Sequence, residues 1–230
     1  GQYDHATVGG GWRYSWNEWP DNSACQWAAI GMIPAQNAPW NCGVPQWVKD
    51  RNNLWLQYSY YLSGSTAGFG YTGPSYGPAL TPSGMIQMVM STPNYKTDSR
   101  WITAESYIAN NWLWQNNNYY AVYALVKTLR LSETEFLSTG RDWYRSSGGI
   151  GEVLCGQQSA SGTYWGSWAS SGYGGRGLDT AWSIIMLTPS LFELPPVADA
   201  GDDVVWAFDL ELEFDGSGSY HLDPVRTIVE

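Results

Sequence analysis

The sequence contains little charge. Charged residues make up 14% of the 230 positions, with 11 Lys and Arg against 21 Asp and Glu, and the formal net charge is −10. A chain this acidic is a poor partner for nucleic acid and for anionic membranes. Disordered chains combine high charge with few aromatic residues. Aromatic residues reach 16% here, so we predict a folded protein.

Long hydrophobic runs are also missing. The longest, such as Tyr119–Val126 and Ser183–Leu187, are well short of the roughly 20 apolar residues that span a bilayer, so no membrane span is predicted. No signal peptide opens the sequence, because Gly1 starts a polar stretch; we expect a processed chain or a segment of a longer protein. Low charge with abundant Trp, Tyr, Asn, Ser and Gly is typical of secreted proteins. We therefore predict an extracellular location, of the bacterial surface or matrix type.

Cysteine and histidine are scarce, with three Cys and two His in the whole sequence. No CxxC pair and no Cys/His cluster occurs, so we predict no metal site. Cys25 and Cys42 are close enough in sequence to close one loop in an oxidising compartment. We predict a disulfide between these two residues, with three buried thiols as the alternative. The state of Cys155 is left open.

What the sequence does contain is a repeated unit. Four times, over 9–32, 68–90, 110–131 and 162–187, an aromatic-rich loop leads into a short apolar helix. The loop is also rich in glycine except in the third unit, which has lost its glycines. Asp21, Thr81 and Asp179 stand where helix N-caps belong, as does Asn117 or Asn118 in the third unit.

Longer amphipathic stretches separate these units. The segment 44–62 places Trp47, Tyr58 and Leu62 at helical spacing, with Pro45 near the first turn. The short helices of the units are instead apolar nearly all round, and such helices are normally buried. The pattern predicts an amphipathic outer helix, an aromatic loop and a buried inner helix, repeated along the chain.

The pattern changes at Leu194. From there, apolar and polar residues alternate through Val205, Leu210, Leu212 and Phe214, which is strand periodicity bounded by turn residues. Two or three strands are too few to fold alone. We predict a helical domain over 1–193 and a partial β-sandwich tail over 194–230.

The helical part resembles the prenyltransferase and squalene-oxidase repeat proteins, roughly from Gly9 to Leu191. The resemblance lies in "GGWRY…DNSACQWAAIG", "GFGYT…LTPSGMIQM", "YYAVYALVKTLRL" and "CGQQSASGTYWGSW" followed by "LDTAWSIIMLTPSLF". The stretch Gln157 to Trp168 is similar to the QW motif of that family. The resemblance implies a mainly α fold, an α/α toroid, in which four inner helices make an incomplete ring.

The tail resembles the opening of a polycystic-kidney-disease (PKD) domain, a secreted β-sandwich. The matching stretches are "PPVADAGDDVV" and "FDGSGSYHLDP". The tail covers only part of such a domain, so we expect its strands to be completed by further residues or by a partner.

The enzymes that the helical part resembles need residues that this sequence supplies only in part. Asp179-Thr180-Ala181 resembles the acid motif of squalene-hopene-type cyclases, but the partner carboxylates are absent from 175–178. His5 and His221 do not stand in the zinc-ligand contexts of protein prenyltransferases. The segment 155–158 resembles a Cys-Gly-Glu-Gln thioester motif, with Gln157 in place of Glu. We predict no catalytic residue and no cofactor.

Aromatic side chains on the loops are the remaining candidates for ligand contact, because Trp rings stack on sugars. We name Trp16, Trp19, Trp165 and Trp168 as candidate ligand-binding residues. The alternative is that loop aromatics fill gaps between helices, and their recurrence in several units favours it. Trp16 and Trp19 are not clearly matched in the other units, so a second molecule is expected there first.

These observations predict a secreted, non-enzymatic structural protein that self-associates, with an extracellular filament or a surface assembly as the product. The open flank of an incomplete toroid and the bare strand edges of the tail would be the contacts of a homo-oligomer. The alternative is a glycan- or lipid-binding toroid module of a larger secreted protein. A divergent terpene cyclase is the third hypothesis.

Overall fold

A computed structural model describes residues 2–36, 41–111, 118–170, 174–188, 196–197 and 220–221. The chain divides into two compact units, Gly1–Leu187 and Thr188–Glu230. The sequence pattern places the boundary a few residues later, after residue 193. The first unit holds all the described helices.

The first unit is mainly helical, as predicted. Its elements are α1 (Asn22–Gln36), α2 (Gln46–Ser59), β1 (Tyr60–Ser63), β2 (Thr66–Phe69), α3 (Leu80–Ser91), α4 (Ser99–Asn110), α5 (Tyr119–Leu131), α6 (Ile150–Gln157) and α7 (Gly175–Leu187). Strands β1 and β2 form an antiparallel hairpin in which Tyr60 pairs with Phe69. None of the described helices has the length and the apolar composition that crossing a membrane requires.

The helices form two sets according to their packing. Helices α1, α3, α5 and α7 pack one against the next, while α2 packs on α3, α4 on α3 and β2, and α6 on α7. Helix α3 is buried over 81–88 and α5 over 121–129, so both are surrounded by protein. Their apolar residues, among them Met85, Met88, Leu125 and Leu129, are central to the main hydrophobic core.

The hairpin lies against α3 through a glycine. A Cβ added to Gly84 would lie 2.1 Å from the Phe69 ring, which is much closer than two non-bonded carbon atoms can approach. Thr81 supports the same contact, because its Oγ1 accepts hydrogen bonds from the backbone N–H groups of Phe69 (3.4 Å) and Gly77 (3.2 Å).

A buried chain of polar side chains joins α1, α2 and α3. Asn22 Oδ1 accepts hydrogen bonds from Gln87 Nε2 (2.8 Å) and Trp55 Nε1 (2.7 Å). Gln87 Oε1 in turn accepts one from Asn52 Nδ2 at 3.0 Å, and Ser91 Oγ donates to Asn52 Oδ1 at 3.1 Å. These polar groups are sequestered from water, so each depends on its protein partner.

Helix starts agree with the sequence at α1 and α5 and differ at α3 and α7. Asp21 immediately precedes α1 and accepts a hydrogen bond from Ala24 N (2.7 Å), and Asn118 likewise caps α5 through Ala121 N (3.1 Å). Thr81 is not an N-cap, because α3 already begins at Leu80 and the Thr81 hydroxyl binds the β2 segment instead.

Asp179 is also not an N-cap. Helix α7 begins four residues earlier, at Gly175, so Asp179 lies inside the helix, where its backbone carbonyl accepts a hydrogen bond from Ser183 Oγ (2.8 Å). The first turn is held by Arg176, whose Nη1 donates to Trp168 O (3.1 Å) and lies 3.2 Å from Ser167 Oγ. These contacts are made with the loop before α7, eight and nine residues ahead of Arg176, and no capping pattern in the sequence indicates them.

The predicted Cys25–Cys42 disulfide is not present in the structure. The Cys25 thiol is buried and contacts the backbone of Trp12, with Trp12 N 3.0 Å and Trp12 O 3.4 Å from Sγ. Cys42 is exposed, and its backbone N–H donates to Ala35 O at 2.7 Å. Ala35 is ten residues along α1 from Cys25, about 15 Å at helical rise, whereas a disulfide needs Cα atoms within about 7 Å.

In the second unit, the structure describes two short strands. Strand β3 (Pro196–Val197) pairs antiparallel with β4 (Tyr220–His221), with Pro196 opposite His221. The alternating stretch from Val205 to Phe214 lies outside the described residues, so its predicted strands stay predictions.

Candidate functional site

The four candidate ligand-binding tryptophans differ in how much of each side chain is exposed to solvent. Trp16 is 82% exposed and Trp165 is 75% exposed, so both rings are open to solvent. Trp19 is partly covered. Trp168 is only 2% exposed, and its indole N–H donates to Leu154 O at 2.7 Å. Trp168 is therefore a core residue that a ligand does not reach, which corrects the sequence prediction for it.

The loop before α1 presents Tyr14, Trp16 and Trp19, which together we name the N-terminal aromatic face. Trp19 is the anchored member, since its ring packs on Tyr3 and Tyr58 and its indole N–H donates to Thr72 O at 3.1 Å. Tyr14 is as open as Trp16, at 81% exposure. One side of the face is thus fixed to the fold, while two rings are free for contact.

Charged groups lie next to this face. Arg13 Nε is 3.5 Å from Glu18 Oε1 and 3.4 Å from Asp21 Oδ2, and Arg13 Nη1 donates to Trp19 O at 3.3 Å. Asp21 is fully buried, and its Oδ1 caps α1. The loop therefore holds one cation between two carboxylates.

A cluster of hydroxyl and amide groups lies at the start of α1 and α5. Gln26 Nε2 is 2.5 Å from Tyr120 Oη, and Ser23 Oγ donates to Asp21 Oδ1 at 2.5 Å. Burial raises the pKa of Tyr120 to about 12, and hydrogen bonding to Ser23 opposes that rise only in part. Among the described residues, Gln26 Oε1 and Asp21 Oδ2 are buried without a hydrogen-bond partner. We name Asp21, Ser23, Gln26 and Tyr120 the polar cluster.

A row of aromatic rings joins α1, α5 and α7. The Tyr123 ring stacks on Trp27 at a centroid distance of 5.5 Å and on Trp182 at 5.8 Å. Lys127 Nζ lies 5.0 Å from the centre of the Tyr123 ring. Burial lowers the pKa of Lys127 to about 7, and Arg130 adds to the effect. Sequence reasoning missed Lys127, although a single lysine in the apolar run "YYAVYALVKTLRL" was a signal for it.

An open groove of about 450 Å³ lies between α4 and the segment after α5. Its walls combine apolar rings with three carboxylates, Glu105, Glu133 and Glu135. Glu105 is committed to structure, because its Oε1 accepts a hydrogen bond from Ser138 N at 2.7 Å. No sequence motif predicts this groove, because its residues come from two separate segments of the chain.

Helix α7 has one buried and one exposed face. Trp182 and Met186 are buried, whereas Leu178, Ala181 and Ile184 are exposed at spacing i, i+3, i+6. Ile184 is 53% exposed. We name these three residues the α7 outer face.

The described residues offer no metal centre, because no group of three or more His, Cys, Asp or Glu side chains in them could hold an ion. Comparison with protein-family models, with curated proteins and with solved structures finds no significant match to the chain. The resemblances to the toroid repeat proteins and to the PKD domain therefore stay predictions from the sequence motifs.

Proposed function

We propose that the chain is a secreted, non-enzymatic structural protein that self-associates into an extracellular filament or surface assembly. The observation that carries this proposal is the α7 outer face. An exposed apolar helix face favours association between copies.

The burial of the helices supports this interpretation. Helix α5 has packed neighbours on both sides and is buried from Ala121 to Leu129. Helix α7 packs on α5 and α6 and still leaves Leu178 and Ile184 exposed. The exposed positions of α7 therefore include two large apolar side chains.

Helix α1, at the other end of the row, packs on α3 and leaves Gly31 and Pro34 exposed, while its Trp27 ring stacks on Tyr123 of α5. We infer that the row is an arc of an α/α toroid, in line with the resemblance of the sequence. Contact between the α7 outer face of one copy and the α1 face of the next would continue the row. A head-to-tail contact that does not close produces a filament.

The tail supplies a second candidate contact. Strands β3 and β4 are two residues each, and an isolated pair of strands is marginally stable in water. In this proposal the tail strands pair with a neighbouring copy, which would supply the missing partners of their edges.

The test is the assembly state of the full chain. Sedimentation velocity over a hundredfold range of concentration, with negative-stain imaging, should show polymers that grow with concentration. Ile184→Lys should reduce their size strongly, because a charge would be buried in the contact. The matched control is Ile102→Lys on α4, since Ile102 is 51% exposed and lies away from both ends of the row.

Two outcomes would overturn the proposal. The first is a wild-type chain that sediments as a monomer at every concentration, and the second is an Ile102→Lys variant that loses assembly as much as Ile184→Lys does. We do not propose terpene cyclisation, because Asp179 is fully buried inside α7.

A further inference from the structure

Two aromatic rings of the N-terminal aromatic face have no role in holding the fold together. Tyr14 and Trp16 are each more than four-fifths exposed, whereas Trp55 and Trp168 are buried and hydrogen-bonded in the interior. A large ring contributes to stability mainly by leaving water. The exposed pair therefore contributes little to folding and remains available to a second molecule.

The turn that carries these rings is held in one conformation. Asn17 has a φ of 51°, in the left-handed region, and its Oδ1 accepts a hydrogen bond from Asp4 N at 2.7 Å. Ser15 N donates to Glu18 Oε2 at 3.1 Å. Because the backbone is already ordered, a ligand that binds there loses less free energy to ordering the loop.

The surroundings of the rings are polar rather than apolar. Arg13 and Glu18 belong to the same loop, and Arg13 Nε lies 3.4 Å from Asp21 Oδ2 of the polar cluster. Within that cluster, Gln26 is fully buried and its Oε1 accepts no hydrogen bond from any described residue, so a buried water molecule is its expected partner.

This combination distinguishes between classes of ligand. A lipid chain would cover the rings but would also take the half-exposed Arg13–Glu18 pair out of water without replacing its hydrogen bonds to water, at a cost in free energy. A sugar ring has an apolar C–H face for stacking and hydroxyl groups at its edge for hydrogen bonds. The net charge of −10 and the carboxylates of Glu18 and Asp4 disfavour an anionic polysaccharide.

We propose that the N-terminal aromatic face is a binding site for neutral carbohydrate. Trp16 and Tyr14 stack on successive sugar rings, and the Arg13–Glu18 pair binds sugar hydroxyls at the edge of the site. The site uses none of the residues of the α7 outer face and none of the α1 residues Gly31 and Pro34. It would attach an assembled protein to a glycan surface.

The test is direct binding of four defined neutral sugars, cellohexaose, chitohexaose, mannohexaose and xylohexaose, to the full chain by calorimetry and Trp fluorescence. At least one should bind saturably. Trp16→Ala and Tyr14→Ala should each weaken that binding about tenfold or more, as expected for an aromatic anchor. Tyr14→Phe keeps the ring and should retain most of the affinity.

Trp47→Ala is the matched control. Trp47 is another exposed tryptophan, in the first turn of α2. It is eleven residues from Tyr58, the α2 residue that contacts Trp19, which is about 16 Å along the helix. This control should bind the sugar as the wild type does, and all variants should unfold at the wild-type temperature.

Three results would overturn the proposal. The first is that none of the four sugars binds saturably, and the second is that Trp47→Ala loses as much affinity as Trp16→Ala. The third is Trp16-dependent binding of phosphatidylcholine vesicles without binding of the sugars, which would indicate a lipid site. None of these measurements uses the Ile184→Lys variant, so they are separate from the test of self-association.

Discussion

The side-chain amide of Gln87 on α3 donates to Asn22 Oδ1 on α1 across 2.8 Å, in an interior where both residues are fully buried. Asn22 is the first residue of α1, and its own amide donates to Gly70 O at 2.7 Å, in the loop after β2. The Asn22 side chain therefore links α1, α3 and the segment after the hairpin. Apolar packing holds helices together with little directional preference, whereas this bond fixes how α1 and α3 lie against each other.

Replacing Gln87 by Ala should destabilise the protein by about 2–3 kcal/mol, because Asn52 Nδ2 loses its acceptor and Asn22 loses a donor. Urea unfolding followed by far-UV circular dichroism measures the change. Gln57→Ala, at an exposed position of α2, is the control and should stay within about 0.5 kcal/mol of the wild type. Equal stability of the two variants would contradict a structural role for the Gln87 network.

The predictable part of the fold is the part that depends on local sequence. Apolar runs such as Tyr119–Leu131 were sufficient to predict buried helices, and Asp21 was sufficient to predict the start of α1. The starts at Thr81 and Asp179 were wrong because Thr81 Oγ1 binds the backbone of Phe69 in β2, and the first turn of α7 is held by Arg176 through the backbone carbonyl of Trp168. Local pattern does not report contacts of that kind.

The candidate site was likewise predictable from the sequence only in part. Trp16 and Trp168 both stand in aromatic-rich loops, so composition alone did not separate them. The difference is tertiary, because Leu154 of α6 accepts the Trp168 indole N–H while no residue covers Trp16 among those described. Trp16 was set apart by one observation from the sequence, namely that the other repeat units do not match it.

Gly84→Ala should destabilise the protein by about 1–3 kcal/mol, since the added methyl group would overlap the Phe69 ring. Gly31→Ala in α1 is the matched control, because a Cβ there meets nothing within 4 Å. Alanine also favours the helix, so this control should be stabilised by about 0.5–1 kcal/mol. Thermal unfolding of the two variants measures the difference, and a shift of the same sign in both would contradict the close contact between β2 and α3.

Cys25 should resist alkylation in the native protein while Cys42 and Cys155 react. Cys25 is buried, and burial raises the pKa of its thiol well above the usual range, whereas the other two cysteines are exposed. Mass spectrometry after iodoacetamide treatment at pH 8, without reductant, should find two labels in the folded chain and three in urea. A single label in urea would indicate that Cys25 and Cys42 are joined after all.

Lys127 should make stability depend on pH between about 7 and 10. Burial lowers the pKa of this lysine from 10.5 to about 7 in the folded state. In that window the unfolded chain binds a proton that the folded chain does not, so stability increases as pH rises. Above pH 10 the trend reverses, because burial raises the pKa of Tyr123 to about 12 and folding then opposes its ionisation.

Lys127→Met should remove this dependence. It should raise the free energy of unfolding at pH 7 by about 2 kcal/mol relative to the wild type. The advantage should shrink by pH 9.5, because removing the proton from the buried lysine costs less free energy as the pH approaches its ordinary pKa of 10.5. Urea unfolding of both proteins at the two pH values measures the effect. Lys49→Met, at a partly exposed position of α2, is the control and should show the same difference at both pH values. If the gain from Lys127→Met is equally independent of pH, the lysine is charged in the folded protein and its contact with the Tyr123 ring is a cation–π interaction throughout the range.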